Sequence, residues 1–186
     1  MVPALSLWLP ILVAAVLVFV ASSAIHMFLN WHKNDFQRVP DEDGVMDALR
    51  EFGISPGNYL VPRAESMEVM KSEEFQARAK RGPTLFMTVL RPGDPSDMGK
   101  QFVQWFVYCL VVGLFAAYVT GQALGPGAEY MAVFKVASTT AFMGYALAHA
   151  QDAIWMSQGW PATLRSMLDG LIYGLVTGGA FGWLWP

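Results

Sequence analysis

Hydrophobic and polar positions fall in blocks along this chain rather than interleaving evenly. Residues 4–29 carry no Lys, Arg, Asp or Glu and consist largely of Ala, Leu, Val, Ile and Phe. Further apolar blocks cover 101–124, 130–155 and 164–185. About 20 apolar residues in a helix cross the roughly 30 Å of a bilayer core. Loose backbone finds no hydrogen-bond partner there, so each block is expected to form a transmembrane helix. Gly125-Pro126-Gly127 breaks the chain between the second and third blocks, and Gly159 with Pro161 stops the third. Both turns are short, so consecutive helices are expected to lie antiparallel.

The stretch between the first two blocks is of another kind. Residues 30–100 hold 10 basic and 12 acidic side chains, 22 of the 27 in the whole chain. The chain is 54% apolar and 15% charged, against about 25% charged in an average soluble domain. This uneven split excludes a water-soluble globule, a disordered chain and a coiled coil. A net charge of −3 leaves no basic footprint, so nucleic acid is not an expected partner. Within the polar stretch, Asp41 to Asp43 can start a helix over 45–52 with Val45, Leu49 and Phe52 on one face, stopped by Gly53. Ser55-Pro56-Gly57-Asn58 reads as a turn and Tyr59-Leu60-Val61 as a short strand. Residues 65–80 are rich in helix formers and end at Gly82-Pro83; 84–90 is the better strand, and 91–95 a stiff connector. Such a small α+β insert buries too little to stand alone and is expected to pack against the helices.

Basic residues set the orientation. Lys33 and Arg38 follow the first block, Lys100 precedes the second and Arg165 opens the fourth, whereas the turn at 121–129 has none. The insert is therefore expected on the inner side and both chain ends on the outer side. Lys135, the exception, lies about 9 Å past Glu129 along a helix and can snorkel outward. The tryptophans fit this frame, with Trp8, Trp183 and Trp185 at the outer interface and Trp31, Trp105, Trp155 and Trp160 at the inner one. The first block lacks the basic flank of a signal peptide, and its cleavage-like patch, Ala21-Ser22-Ser23-Ala24, sits too deep; it is read as a retained anchor.

Small residues recur at helix spacing. Gly170, Gly174, Gly178 and Gly182 fall every fourth residue, and the second block carries Cys109, Gly113, Ala117 and Gly121. Such glycine-zipper stripes let helix backbones approach closely. Their plain role is packing within the bundle; the sharper one is docking on a partner subunit or a second copy. The single cysteine forms no intrachain disulfide and reads as a small buried hydrophobe.

Ionisable groups inside the spans are few, and each costs free energy to bury. His26 lies about 7–8 Å inside the inner interface, His149 about 9 Å, and Asp169 about 6 Å past Arg165; Asp152 is one turn from His149. Three roles fit these groups. His26 and His149 could be axial ligands of a b-type haem. Alternatively, His26, His149, Asp152 and Asp169 could form a metal site or proton relay. In the third reading they serve structure alone, which is the commoner role, so no cofactor is called for. His32 is placed in the aqueous boundary as a solvated side chain. Catalytic motifs, phosphate loops, CxxC pairs and inverted repeats are absent.

Trp160-Pro161, Asp169-Gly170-Leu171-Ile172-Tyr173, Phe181-Gly182-Trp183-Leu184-Trp185-Pro186, Trp105-Phe106-Val107-Tyr108 and the run GISPGNYLVP at 53–62 resemble an uncharacterised family of small bacterial inner-membrane proteins. The resemblance covers about 130 residues. It implies four membrane helices with a cytoplasmic insert, and brings no activity. The expected fold class is an all-α membrane protein: a four-transmembrane-helix bundle with a small α+β cytoplasmic insert (30–100) between helices one and two. The expected function is non-enzymatic, an accessory or scaffolding subunit whose partners are the bilayer and other membrane subunits or itself. The alternative is a redox or ion/proton-linked protein using the inner-leaflet His/Asp group, and a third is a small transporter.

Overall fold

The computed structural model describes residues 1–93 and 98–186, so Asp94 and Pro95 of the expected connector lie outside the described residues. In chain order, a 3-10 turn (Ala4–Leu7) leads into α1 (Trp8–Phe28), followed by a second 3-10 turn (Asn30–His32). Next come α2 (Glu42–Glu51), β1 (Gly57–Val61), α3 (Met67–Lys71), α4 (Glu73–Arg81) and β2 (Leu85–Val89). The rest is α5 (Gly99–Ala123), α6 (Tyr130–Phe142), a π-helical turn (Met143–Leu147), α7 (His149–Trp155) and α8 (Trp160–Trp183). The protein is mostly helical, with a single two-stranded sheet among the described residues. It divides into two compact units, Met1–Gln37 with Gly99–Pro186, and Arg38–Met98.

In the larger unit, three helical stretches are long and apolar enough to cross a membrane: Ala4–Phe28, Gly99–Ala123 and Tyr130–Trp155. The expected fourth block is a 24-residue helix, α8, that begins four residues before the expected start at 164. It is not among those three apolar stretches, because Arg165, Asp169 and a series of Gly, Ser and Thr lower its hydropathy. The unit is built with small residues inside and large ones outside. Ala14, Ala15, Ala116, Ala117, Ala137, Ala141 and Ala146 are buried, whereas Leu9, Leu12, Val16, Leu17, Val20, Phe115 and Tyr118 are exposed. In water so much large apolar surface would be a liability; against lipid tails it costs nothing.

The glycines show how closely the helices meet. A Cβ on Gly170 would lie 2.7 Å from Ala146 Cβ, and one on Gly174 would lie 3.0 Å from the Ser138 carbonyl oxygen. At Gly178 it would lie 2.7 Å from Ser138 Cβ and 2.8 Å from the Phe134 carbonyl oxygen, and at Gly182 2.7 Å from the Tyr130 ring. This stripe of α8 thus faces α6 and the π turn of the same chain. On α5, Gly113 gives room to Ile11 (3.2 Å) and Gly121 to the Val2 carbonyl oxygen, and the Val2 N–H donates to Gly121 O at 2.8 Å. In the π turn, adjacent Tyr145 and Ala146 are both buried, and the Tyr108 hydroxyl donates to Gly144 O at 2.6 Å. Trp105 Nε1–H donates to Ser22 Oγ at 2.8 Å, tying α5 to α1.

The far end of α8 is held at the α5–α6 turn. Gly127 N–H donates to Pro186 O at 2.6 Å, and Trp185 Nε1–H to Gly125 O at 2.9 Å.

The smaller unit follows local signals. Asp41 caps α2 by accepting from Gly44 N–H, and the helix starts three residues before the expected position, 45. β1 and β2 pair antiparallel with Gly57 opposite Val89 and Val61 opposite Leu85. The single helix expected over 65–80 is two: Ser72 adopts extended backbone, ends α3, and caps α4 by accepting from Phe75 N–H. Ser is a better cap than a mid-helix residue, which explains the break. No described residue of this unit is buried.

Candidate functional site

The larger unit gathers five polar side chains from three segments near the N-terminal end of α8. α1 carries His26 in its last turn. The 3-10 turn that follows supplies His32, and Asp35 comes three residues later. α8 supplies Arg165 and, one turn on, Asp169.

Asp169 is the centre. Its carboxylate side chain is 5% exposed, and its Oδ2 lies 2.8 Å from His32 Nε2 and 3.9 Å from His26 Nε2. Its second oxygen, Oδ1, is buried without a hydrogen-bond partner. His32 is 17% exposed and held at both ring nitrogens, because Nδ1 lies 2.6 Å from Asp35 Oδ2. Asp35 in turn is gripped by Arg165, whose Nε–H donates to Oδ1 at 2.8 Å and whose Nη2 reaches the same oxygen. The His26 and His32 rings stand 4.7 Å apart, and His26 is 54% exposed.

The electrostatics follow from these contacts. Burial pushes the Asp35 carboxyl up, but hydrogen bonds from His32 and Arg165 and their charges outweigh it, so its pKa lies below the ordinary value. Two carboxyl groups, one guanidinium and two imidazoles share this poorly solvated place. A neutral imidazole has a single N–H, yet both nitrogens of His32 face carboxyl oxygens, which accept when ionised and donate when protonated. A proton on the ring, a proton on the Asp169 carboxyl, or a bound cation would each satisfy the contact between His32 Nε2 and Asp169 Oδ2.

The expected site residues are divided by the structure. His26 and Asp169 come together, joined by His32, Asp35 and Arg165. His149 Nδ1 stands 3.9 Å from Asp152, both side chains about half exposed, apart from the His26–His32–Asp169 group. His149 does line a cavity of about 270 Å³ together with Asp35, Phe36, Gln158, Thr163 and Ser166. His26 and His149 thus have separate acidic neighbours, Asp169 and Asp152. His32 is a correction: expected to be solvated, it is bonded on both sides. The signal available for it is its spacing, six residues after His26 and three before Asp35. The Asp169 contact spans 137 positions and has no local signature.

Beyond the centre, Trp105, Tyr108, Tyr145 and Tyr173 form an aromatic cluster with ring centroids 5.6–6.0 Å apart, against which Cys109 is buried. Tyr173 lies one turn past Asp169, and its hydroxyl is buried without a partner.

No family model matches this chain, and no curated protein or solved structure matches it at a significant level.

Proposed function

We propose that this chain is a four-span integral membrane protein whose Asp169 centre, at the inner-leaflet end of the bundle, binds a cation and makes the protein ion-linked. The single observation that carries the reading is the buried Asp169 carboxyl group with one orphaned oxygen, set within 2.8 and 3.9 Å of two imidazole nitrogens. A buried ionisable group in a membrane bundle is expensive and marks a functional place.

Four crossings are supported by the bonds from Gly127 to Pro186 and from Trp185 to Gly125, which bring the end of α8 back to the α5–α6 turn. At 1.5 Å per residue its 24 residues reach about 36 Å, enough for the hydrocarbon core. Its polar residues are tolerable because they face protein. The bias of Lys33, Lys100 and Arg165 puts the insert and the centre on the inner side. The resemblance drawn from Trp160-Pro161 and the C-terminal aromatic run implies a bacterial inner membrane.

The test is thermal unfolding of the full chain in detergent against a panel of Na⁺, K⁺, Mg²⁺, Ca²⁺ and Zn²⁺ and across pH. A cation at about 100 times its Kd adds about 2.7 kcal/mol, roughly 5–10 °C for a chain of this size. Wild type should gain this with one cation and Asp169→Asn should not. Equal responses in both would refute the reading.

A second reading, an accessory subunit, is favoured by the insert. Val45, Met46, Leu49 and Phe52 are exposed on and just after α2, and no described residue of 38–98 is buried. A companion protein retained in mild detergent, and lost when Leu49 and Phe52 become Ser, would support it.

A further inference from the structure

We propose that the cation is a divalent transition metal of the zinc class, bound by His26 Nε2, His32 Nε2 and the Asp169 carboxylate. This rests on the cation-site reading above and deepens it. The three donors lie within 4.8 Å of one another. A tetrahedral ion with bonds of about 2.0–2.1 Å spaces its ligand atoms about 3.3 Å apart. The pairs at 2.8 and 3.9 Å bracket that value. The closing movement falls to His26, which is half exposed at the end of α1.

Three observations favour a metal over a proton on His32. A metal held by both oxygens of the Asp169 carboxylate would engage Oδ1, which is buried without a partner, whereas a proton on Nε2 engages Oδ2 alone. Such a proton would also leave His26, aimed at the same carboxylate, without a role. Finally, His32 Nδ1 is held by Asp35, and Asp35 by Arg165. Metal-binding histidines characteristically give their other N–H to a carboxylate, which fixes the ring and raises the basicity of the ligating nitrogen. With the Nδ1 proton donated to Asp35, the Nε2 lone pair points at the metal position.

The donor set selects the ion. Two imidazoles and one carboxylate suit Zn²⁺, Fe²⁺ or Co²⁺; Ca²⁺ and Mg²⁺ ask for oxygen shells, and Cu⁺ for sulfur. Three protein donors leave one position for water or a small ligand. On binding, the metal replaces any proton on His32 Nε2, which leaves to solvent. His149 and Asp152 lie outside the set.

The experiment uses the full chain in detergent, stripped with chelator, dialysed against Zn²⁺ and assayed for bound metal; Co²⁺ is the visible reporter. One zinc per chain is expected, with a four- or five-coordinate Co²⁺ spectrum. His26→Ala should weaken binding at least tenfold with the apo melting temperature unchanged, since His26 is exposed. Asp35→Asn should weaken it 10–100-fold, the usual effect of losing such a support. His149→Ala should bind as wild type. Wild type holding clearly less than one zinc, or His26→Ala binding normally, would overturn the proposal. If zinc fails while another cation still protects wild type and not Asp169→Asn, the metal assignment alone falls. If no cation protects, both fall.

Discussion

Gly178 and Gly179 are adjacent on α8 and differ in what lies above them, which makes them a matched pair. A methyl at Gly178 would lie 2.7 Å from Ser138 Cβ and 2.8 Å from the Phe134 carbonyl oxygen, and the latter is backbone that cannot swing away. A methyl at Gly179 meets only the Tyr130 hydroxyl, at 3.8 Å, an ordinary contact. Gly→Ala in a helix gains about 0.5–1 kcal/mol from reduced backbone freedom, and this gain is common to both sites. Overpacking costs about 1–3 kcal/mol and applies to Gly178 alone. Gly179→Ala should therefore match or exceed wild type. Gly178→Ala should fall about 2 kcal/mol below Gly179→Ala, roughly 4–8 °C in melting temperature. Thermal unfolding in detergent, followed by tryptophan fluorescence, measures the difference. Equal melting temperatures would mean that α8 does not press its glycine stripe against α6, and the packing described for the bundle would be wrong.

Other outcomes follow from single contacts. Ser22→Ala leaves the Trp105 indole N–H without its acceptor inside the bundle; the cost should be about 0.6–1.7 kcal/mol, read by denaturant titration in detergent. Asp35 has a folded pKa below its unfolded value, so its contribution is present above about pH 4 and is lost as pH falls through the lowered pKa. The stability gap between wild type and Asp35→Asn should thus be full at pH 7 and shrink below about pH 4; a gap that widens on acidification would contradict the Arg165–Asp35–His32 arrangement. Arg165→Lys keeps the charge but loses the planar two-nitrogen grip on Asp35. It should weaken zinc binding as Asp35→Asn does, and unchanged zinc affinity would separate Arg165 from the centre. Ser72→Ala removes the cap of α4, worth about 1 kcal/mol; hydrogen exchange at Phe75 in α4 should speed up while that at Leu49 in α2 stays as in wild type.

Three of the apolar stretches were legible because length and composition alone decide whether a helix could cross a bilayer. α1 and α5 follow their blocks within a few residues, and Asp41, Gly53 and Gly82 mark ends in the insert because capping is a local matter. The glycine spacing of α8 pointed to a close backbone contact, but not to α6 as its occupant. Periodicity states which residues share a face and how deep they lie; it does not state how one helix is rotated toward another. The chain that follows α1 brings His32 and Asp35 against Asp169 and Arg165 of α8. Contacts of Asp35 with Arg165 and of His32 with Asp169 bridge 130 and 137 positions, and no window along the chain contains them. Ser72 was hidden for the opposite reason: strong helix formers on both sides mask a single capping residue.

The account depends on α8 crossing the bilayer beside α6, with the Asp169 centre at the inner face. Topology reporters fused in the insert at Gly57, in the turn at Pro126 and after Pro186 test this directly. The insert should report the inner compartment, and the turn and the chain end the outer one. An insert and a chain end reporting the same compartment would leave three crossings and contradict the account.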